Sequence, residues 1–252
     1  MKEWMNERSF QEWYQAASKD DIKLFERVED FSYLFEDMVF SNGTPTHEFI
    51  KCQSKLVESD EWIDDEVPLP EEIEYFSYTF FTYHIANLEG FSGCFNRKDY
   101  SLSVGPFSID DDSVVLHEMI HLHEFVINDL PMFYHDAVLY CLYRDLSHKI
   151  TDLNERIEAH GHILNSSQIA ETGGVHDILF LLKSFDLDLK MGYKLGTVFG
   201  YGMANEWDTP GSPLEAAGEE LPVFVARAVE TQAQRDSLTR KMEKALDKKS
   251  EA

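Results

Sequence analysis

The sequence predicts an α+β fold in which a small mixed β-sheet is followed by a run of helices, with additional helices at both ends of the chain. Two observations support this prediction. Residues 75–86 have the Phe-, Tyr- and Thr-rich composition of strands and residues 100–104 have their alternation, whereas apolar residues from position 113 onward recur at the three-and-four spacing of helices. Strands that precede a run of helices are typical of α+β folds, whereas a doubly wound parallel sheet alternates the two.

The chain begins with an acidic helical segment. In residues 9–55 apolar side chains recur every three or four positions, which predicts amphipathic helices with an Asp/Glu-rich face in solvent. A run of acidic residues and the prolines Pro68 and Pro70 then interrupt regular structure, as expected of a linker. We therefore predict an N-terminal segment over residues 1–66 and a core that begins at residue 67.

The sheet is predicted from two segments of this core. Residues 75–86 are dense in Phe, Tyr and Thr, and residues 100–104 alternate apolar with small polar side chains until Gly105 and Pro106 end the pattern. Gly90 offers a turn between the two segments. We expect two or three strands here.

Four helices are expected after the sheet. The acidic residues at positions 110–112 and Ser113 supply N-cap and first-turn groups that suit a helix dipole. The predicted helices cover residues 113–128, 132–149 and 151–164, and a fourth begins after Gly173 and Gly174. Residues 223–252 form a separate amphipathic helix in this interpretation, so the core covers residues 67–222.

The charge of the chain excludes one large class of function. The chain has 47 acidic and 22 basic residues among 252, a formal net charge of −25. Affinity for a phosphate backbone comes largely from cationic contacts, so we expect no nucleic-acid partner. Because 43% of the residues are hydrophobic, the chain is too rich in core-forming residues to be an acidic disordered polymer.

The cysteines and the N-terminus indicate the cellular compartment of the protein. Cys52, Cys94 and Cys141 form no close pair, and this odd count fits a reducing compartment better than a disulfide framework. The N-terminus lacks the apolar run of a signal peptide, and no segment approaches the roughly 18 apolar residues of a membrane span. We expect a cytoplasmic protein without a membrane partner, and the sequence leaves its oligomeric state open.

The residues that point to a chemical function form a His-Glu-x-x-His motif, His117 to His121, in the first predicted helix after the sheet. Positions four apart lie one turn above each other, so both imidazoles project from one face and can share a metal ion of zinc's nitrogen preference. Glu118 lies about 100° around the helix, where its carboxylate could take a proton from a metal-bound water. The helix is otherwise apolar, so these polar groups need partners in a core. The motif predicts a zinc site with His117 and His121 as ligands and Glu118 as the catalytic base.

A catalytic zinc site takes a third protein ligand. His123 lies on nearly the opposite face of the helix and is excluded, whereas Glu124 continues the ligand stripe where a hydrogen bond to a ligand is favoured over ligation. His135 and His160 both lie on inward apolar faces of later helices. From the residues alone both remain candidates, with His162 and His176 behind them.

The segments around the motif follow a defined order: Gly93-Cys94, the strand at 100–104, Val114-Val115-Leu116 directly before the motif, and His135 after it. This order resembles the core of the SprT-like (Spartan-type) zinc metalloproteases. The resemblance covers residues 93–149 and implies a zincin-like core with His117, His121 and His135 as zinc ligands and Glu118 as catalytic base. The chain's acidity and the absence of a C-terminal zinc ribbon separate it from the DNA-directed members of that family.

Together these observations predict a zinc metalloprotease, a hydrolase that cleaves peptide bonds in a peptide or protein substrate. The substrate is expected to lie extended beside the small sheet. Tyr134 and Tyr140 are candidate donors to the oxyanion. Two alternatives stay open, a zinc hydrolase of a non-peptide amide and a non-catalytic binding or regulatory protein in which the metal is a structural clip.

Overall fold

The structure is a computed structural model that describes residues 3–39, 76–89, 91–128, 132–157, 176 and 178–200, with the backbone alone at 39, 132–137 and 140. The helices of these ranges are α1 (Glu7–Ala16), α2 (Lys19–Asp30), α3 (Glu36–Val39), α4 (Asp112–Asn128), α5 (Met132–Ser147) and α6 (Ile178–Met191), with short 3-10 turns at Ser32–Phe35 and Tyr78–Phe80. The strands are β1 (Thr82–Ile85), β2 (Gly93–Asn96) and β3 (Ser101–Val104). The α+β class predicted from the sequence is confirmed.

The sheet is mixed, as predicted, with strand order β1-β3-β2. β3 is central: it runs parallel to β1, with Leu102 opposite Tyr83, and antiparallel to β2, with Leu102 opposite Phe95. β2 therefore lies at one edge of this sheet. Its short sequence of Gly, Cys, Phe and Asn carries no strand alternation, which is why the sequence did not locate it.

The predicted helices around the motif agree with α4 and α5 to within about two residues. Residues 153–157 are helical, which covers the start of the predicted third helix. The rest of that helix and the C-terminal segment lie outside the described residues, as do both predicted domain boundaries, so these remain predictions.

The chain divides into two compact units. The first comprises Met1–Lys149 and Leu179–Glu206, and it holds the sheet, helices α1 to α5 and all of α6 except its first residue. The second comprises Ile150–Ile178 and Trp207–Ala252, and its described part includes the helical residues 153–157. One boundary falls within α6, directly after Ile178.

The acidic N-terminal segment packs on the sheet through α2 and β1. Ser18 and Asp21 form a capping box at the start of α2, in which each side chain bonds the backbone N–H of the other residue. Asp21 also accepts a hydrogen bond from the backbone N–H of Ile85 in β1 at 2.6 Å. Asp21 therefore caps the start of α2 and also bonds this helix to β1. The acidic residues of this segment are thus not all part of a face in solvent.

A buried ammonium group fixes α6 to the same N-terminal segment. Lys183 is fully buried and donates hydrogen bonds to Asp37 Oδ1 at 2.7 Å and Asp186 Oδ2 at 2.8 Å. It also donates to the Leu34 carbonyl at 2.6 Å, while Lys190, closer to the surface, contacts Asp186 at 2.7 Å. Burial by itself raises the pKa of the Asp186 carboxyl, but the two ammonium groups hold that pKa below its usual value.

We expect Lys183→Met to destabilise the protein by about 3–5 kcal/mol, because it leaves the buried Asp186 carboxylate with only the more exposed Lys190 as a cation. This loss should shrink as the pH falls from 8 to about 4, since protonation then neutralises Asp186. Lys190→Met is the matched control, and its cost should be smaller because that cation is partly solvated. Urea unfolding at the two pH values measures both costs. Equal costs for the two variants would contradict this assignment.

Candidate metal centre

Helix α4 brings the two motif histidines together in the core. Of its 17 residues 13 are buried, and it packs against β2 and β3. Because one helical turn separates His117 from His121, their rings lie side by side with centroids 5.2 Å apart. His117 is buried, and His121 retains a small exposed fraction.

Both rings are oriented through their Nδ1 atoms. His117 Nδ1 lies 2.9 Å from the backbone carbonyl oxygen of Val198. A carbonyl oxygen can only accept, so this Nδ1 carries the proton and Nε2 keeps a lone pair. His121 Nδ1 lies 3.4 Å from Glu124 Oε2, in agreement with the sequence prediction that Glu124 supports a ligand rather than acting as one. Metal-binding histidines are typically held in this way, by an acceptor at the ring nitrogen that does not face the ion.

A third histidine lies beside this pair. Potential ligand atoms of His117, His121 and His176 all lie within 4.8 Å of one another, close enough to bind one metal ion. His176 precedes α6 by two residues, and Phe180 in the first turn of α6 packs on both motif rings with centroid distances of 4.6 Å. Three imidazoles suit zinc, copper, iron or nickel and are a poor donor set for magnesium or calcium.

The third ligand that the resemblance implies, His135, remains a prediction. His135 lies in the first turn of α5, but its side chain is outside the described residues, as are those of Tyr134 and Tyr140. His160 also lies outside the described part of the chain. The sequence ranked His176 behind both, because a single histidine before an apolar helix carries no spacing that points to a metal.

Glu118 is buried against the edge strand of the sheet. The position that a Cβ would occupy on Gly93 of β2 lies 2.6 Å from both Cγ and Oε1 of Glu118, so only glycine leaves room for this side chain. Burial raises the pKa of the neighbouring Cys94 thiol, and the negative charge of Glu118 raises it further. The motif carboxylate therefore lies where α4 meets β2, the edge strand of the described sheet.

His123 has the structural role that its position in the helix predicts. Its ring stacks on Phe35 with centroids 4.4 Å apart. Nδ1 donates to the Met119 carbonyl at 2.6 Å, and Nε2 accepts from the Tyr78 hydroxyl at 3.0 Å. Burial lowers the pKa of His123 to about 3, so it is neutral at physiological pH. Both nitrogens are engaged, which excludes His123 as a ligand for the same ion.

No protein-family model, curated protein or solved structure matches this chain. The zincin-like core and the SprT-like family therefore remain predictions from the resemblance. None of the helices in the described ranges is both long and apolar enough to cross a lipid bilayer.

Gly93→Ala is expected to destabilise the protein by about 1–3 kcal/mol, because the new methyl group overlaps the Glu118 side chain in a packed interior. Gly105→Ala is a suitable control, since its added methyl group would meet its nearest neighbour, the Ser92 carbonyl oxygen, at an ordinary 3.4 Å. Chemical denaturation of both variants measures the difference. If Gly93→Ala were as stable as Gly105→Ala, Glu118 would not lie against β2.

Proposed function

We propose that this protein is a zinc-dependent metallopeptidase. The observation that carries the proposal is the clustering of three histidines, with a buried glutamate directly after His117 in the chain and an acceptor at Nδ1 of both His117 and His121. This combination supplies the parts of a hydrolytic zinc site, namely imidazole ligands, a carboxylate base and groups that orient the ligands. The −25 charge of the chain favours a peptide or protein substrate over nucleic acid.

We propose His117, His121 and His176 as the zinc ligands. The first two follow from the motif, and the third is supported by the distances within the histidine cluster. The resemblance implies His135 instead, and His160 is the other candidate from the sequence. Only three histidine ligands are needed, because a hydrolytic zinc site keeps its fourth position for water or substrate.

A bound zinc ion would supply Lewis acidity, polarising the scissile carbonyl and lowering the pKa of water toward about 7. Glu118 then has two tasks. It accepts a proton from the attacking water as the new carbon–oxygen bond forms, and it delivers that proton to the amine nitrogen as the carbon–nitrogen bond breaks. Its burial beside a strand edge keeps bulk water away from this transfer.

The edge strand β2 gives the proposed substrate a place to bind. A peptide that pairs with β2 in extended conformation would lie beside Gly93, the residue that Glu118 contacts. Binding of this kind relies on backbone hydrogen bonds, so selectivity for sequence should be broad. The acidic surface should favour basic peptides through electrostatic steering, an effect that salt weakens.

Zinc content distinguishes the candidate ligands. We expect His176→Ala to lose the zinc that purifies with the wild-type protein, as should His117→Ala. His148→Ala, which removes an exposed histidine of the same chain, should keep full occupancy. Inductively coupled plasma mass spectrometry on these variants, with His135→Ala and His160→Ala beside them, measures the occupancy. Full zinc occupancy in His176→Ala would overturn our assignment of the third ligand.

Catalysis is tested separately from binding by Glu118→Gln. The amide keeps the shape of the side chain but cannot accept a proton, so zinc should remain bound while the cleavage rate falls at least about 100-fold. Glu155→Gln, an exposed change of the same chemistry, should leave the rate unaltered. Cleavage of a quenched-fluorescent peptide library gives the rates. A Glu118→Gln protein that still cleaves would contradict the catalytic role, and a wild-type protein that binds zinc without cleaving would favour the structural-clip alternative.

A further inference from the structure

The end of α6 contains a buried carboxylate that the proposed mechanism does not use. The helix ends in a Schellman motif: Gly192, at φ 71°, donates its N–H to the Leu189 carbonyl, and Tyr193 donates to the Asp188 carbonyl at 2.7 Å. The chain then turns back along the helix. The side chain of Asp188 is left facing the loop of residues 194–198 that follows.

Asp188 holds this loop with both of its carboxylate oxygens. Oδ2 accepts from the backbone N–H of Gly196 at 2.7 Å, and Oδ1 accepts from the backbone N–H of Val198 at 2.9 Å. Gly196 has φ 91°, a conformation that side chains with a Cβ rarely adopt. Burial raises the pKa of Asp188 to about 7, against the effect of the N–H bonds, so this carboxylate is held at a cost in stability.

Val198 connects this loop to the metal centre. Its N–H is bound to Asp188, and its carbonyl oxygen is the group that accepts from His117 Nδ1. The next residue, Phe199, packs its ring on Phe180 with centroids 5.8 Å apart, and Phe180 contacts both motif histidines. Because Val198 is bonded at its N–H and at its carbonyl, a shift at Asp188 would displace the residue whose carbonyl meets His117.

We propose that Asp188 is a positioning residue for the metal centre: by fixing the loop at Val198, it keeps the proton of His117 on Nδ1 and directs Nε2 toward the ion. The metal part of this inference rests on the proposed function, whereas the effect on the His117 proton does not. A carbonyl acceptor selects the Nδ1–H form of imidazole, and without it the two neutral forms can exchange. In the Nε2–H form the nitrogen that faces the cluster has no lone pair for a metal.

Asp188→Asn tests the inference while preserving the shape of the side chain. The amide retains one acceptor oxygen and presents an NH₂ group to the other loop N–H, so the loop should lose one of its two bonds. In the metal-free protein, long-range proton–nitrogen spectra of the histidine rings report which nitrogen carries the proton. We expect the wild-type His117 to be entirely Nδ1–H and the variant to show a substantial Nε2–H population. We also expect the zinc dissociation constant to rise about 10–100-fold, measured by competition with a chromophoric chelator.

Two further variants separate positioning from a general loss of stability. Ser184→Ala removes a buried hydroxyl of the same helix that donates to the Leu181 carbonyl, and it should leave the His117 spectrum unchanged. Gly196→Ala strains the loop while keeping the Asp188 charge, and it should shift the His117 proton as Asp188→Asn does. A native His117 spectrum in folded Asp188→Asn or in Gly196→Ala would overturn the inference. If the variants shift the His117 proton but the wild-type protein binds no zinc, the positioning role is supported and the proposed function is refuted.

Discussion

The hydrogen bond between His117 Nδ1 and the Val198 carbonyl is the interaction on which the candidate site depends. It joins the middle of α4 to a loop 81 residues later in the chain. This bond places the ring proton of His117 on Nδ1 and orients the imidazole. It also holds the loop where Phe199 packs on Phe180, the residue that contacts both motif histidines. A helix with two imidazoles and a carboxylate in an apolar core is stable only if such partners exist, because an unsatisfied buried polar group costs free energy that the apolar contacts must offset.

Helix α6 connects the His117–Val198 hydrogen bond to the N-terminal segment. Lys183 binds Asp37, and Phe35 of the same segment stacks on His123 in α4. The N-terminal segment therefore contacts both helices that build the site, through a buried ion pair on α6 and an aromatic stack on α4. Its acidic residues have specific structural partners here, which explains part of a charge excess that composition alone would assign to a solvated surface.

Much of helix α4 could be predicted from the sequence, because its signals are local. The pentad from His117 to His121, the capping residues before it and its apolar surroundings all lie within one helix, so periodicity was enough to place both motif histidines and Glu118 on it. The Val198 carbonyl could not be found in this way, since a backbone acceptor carries no sequence signature. His176 and Asp188 also lie far from α4 in the chain, and only the fold reveals what they approach.

Measuring the coordination of the bound metal would show whether three histidines hold a zinc ion in this protein. X-ray absorption at the zinc edge of the purified protein reports the number, kind and distance of the atoms around the ion. We predict one zinc per chain with three imidazole nitrogens at about 2.0–2.1 Å and one further oxygen or nitrogen neighbour. A spectrum dominated by sulfur, or by six oxygens with no imidazole scattering, would contradict it, as would a protein that holds no zinc at all.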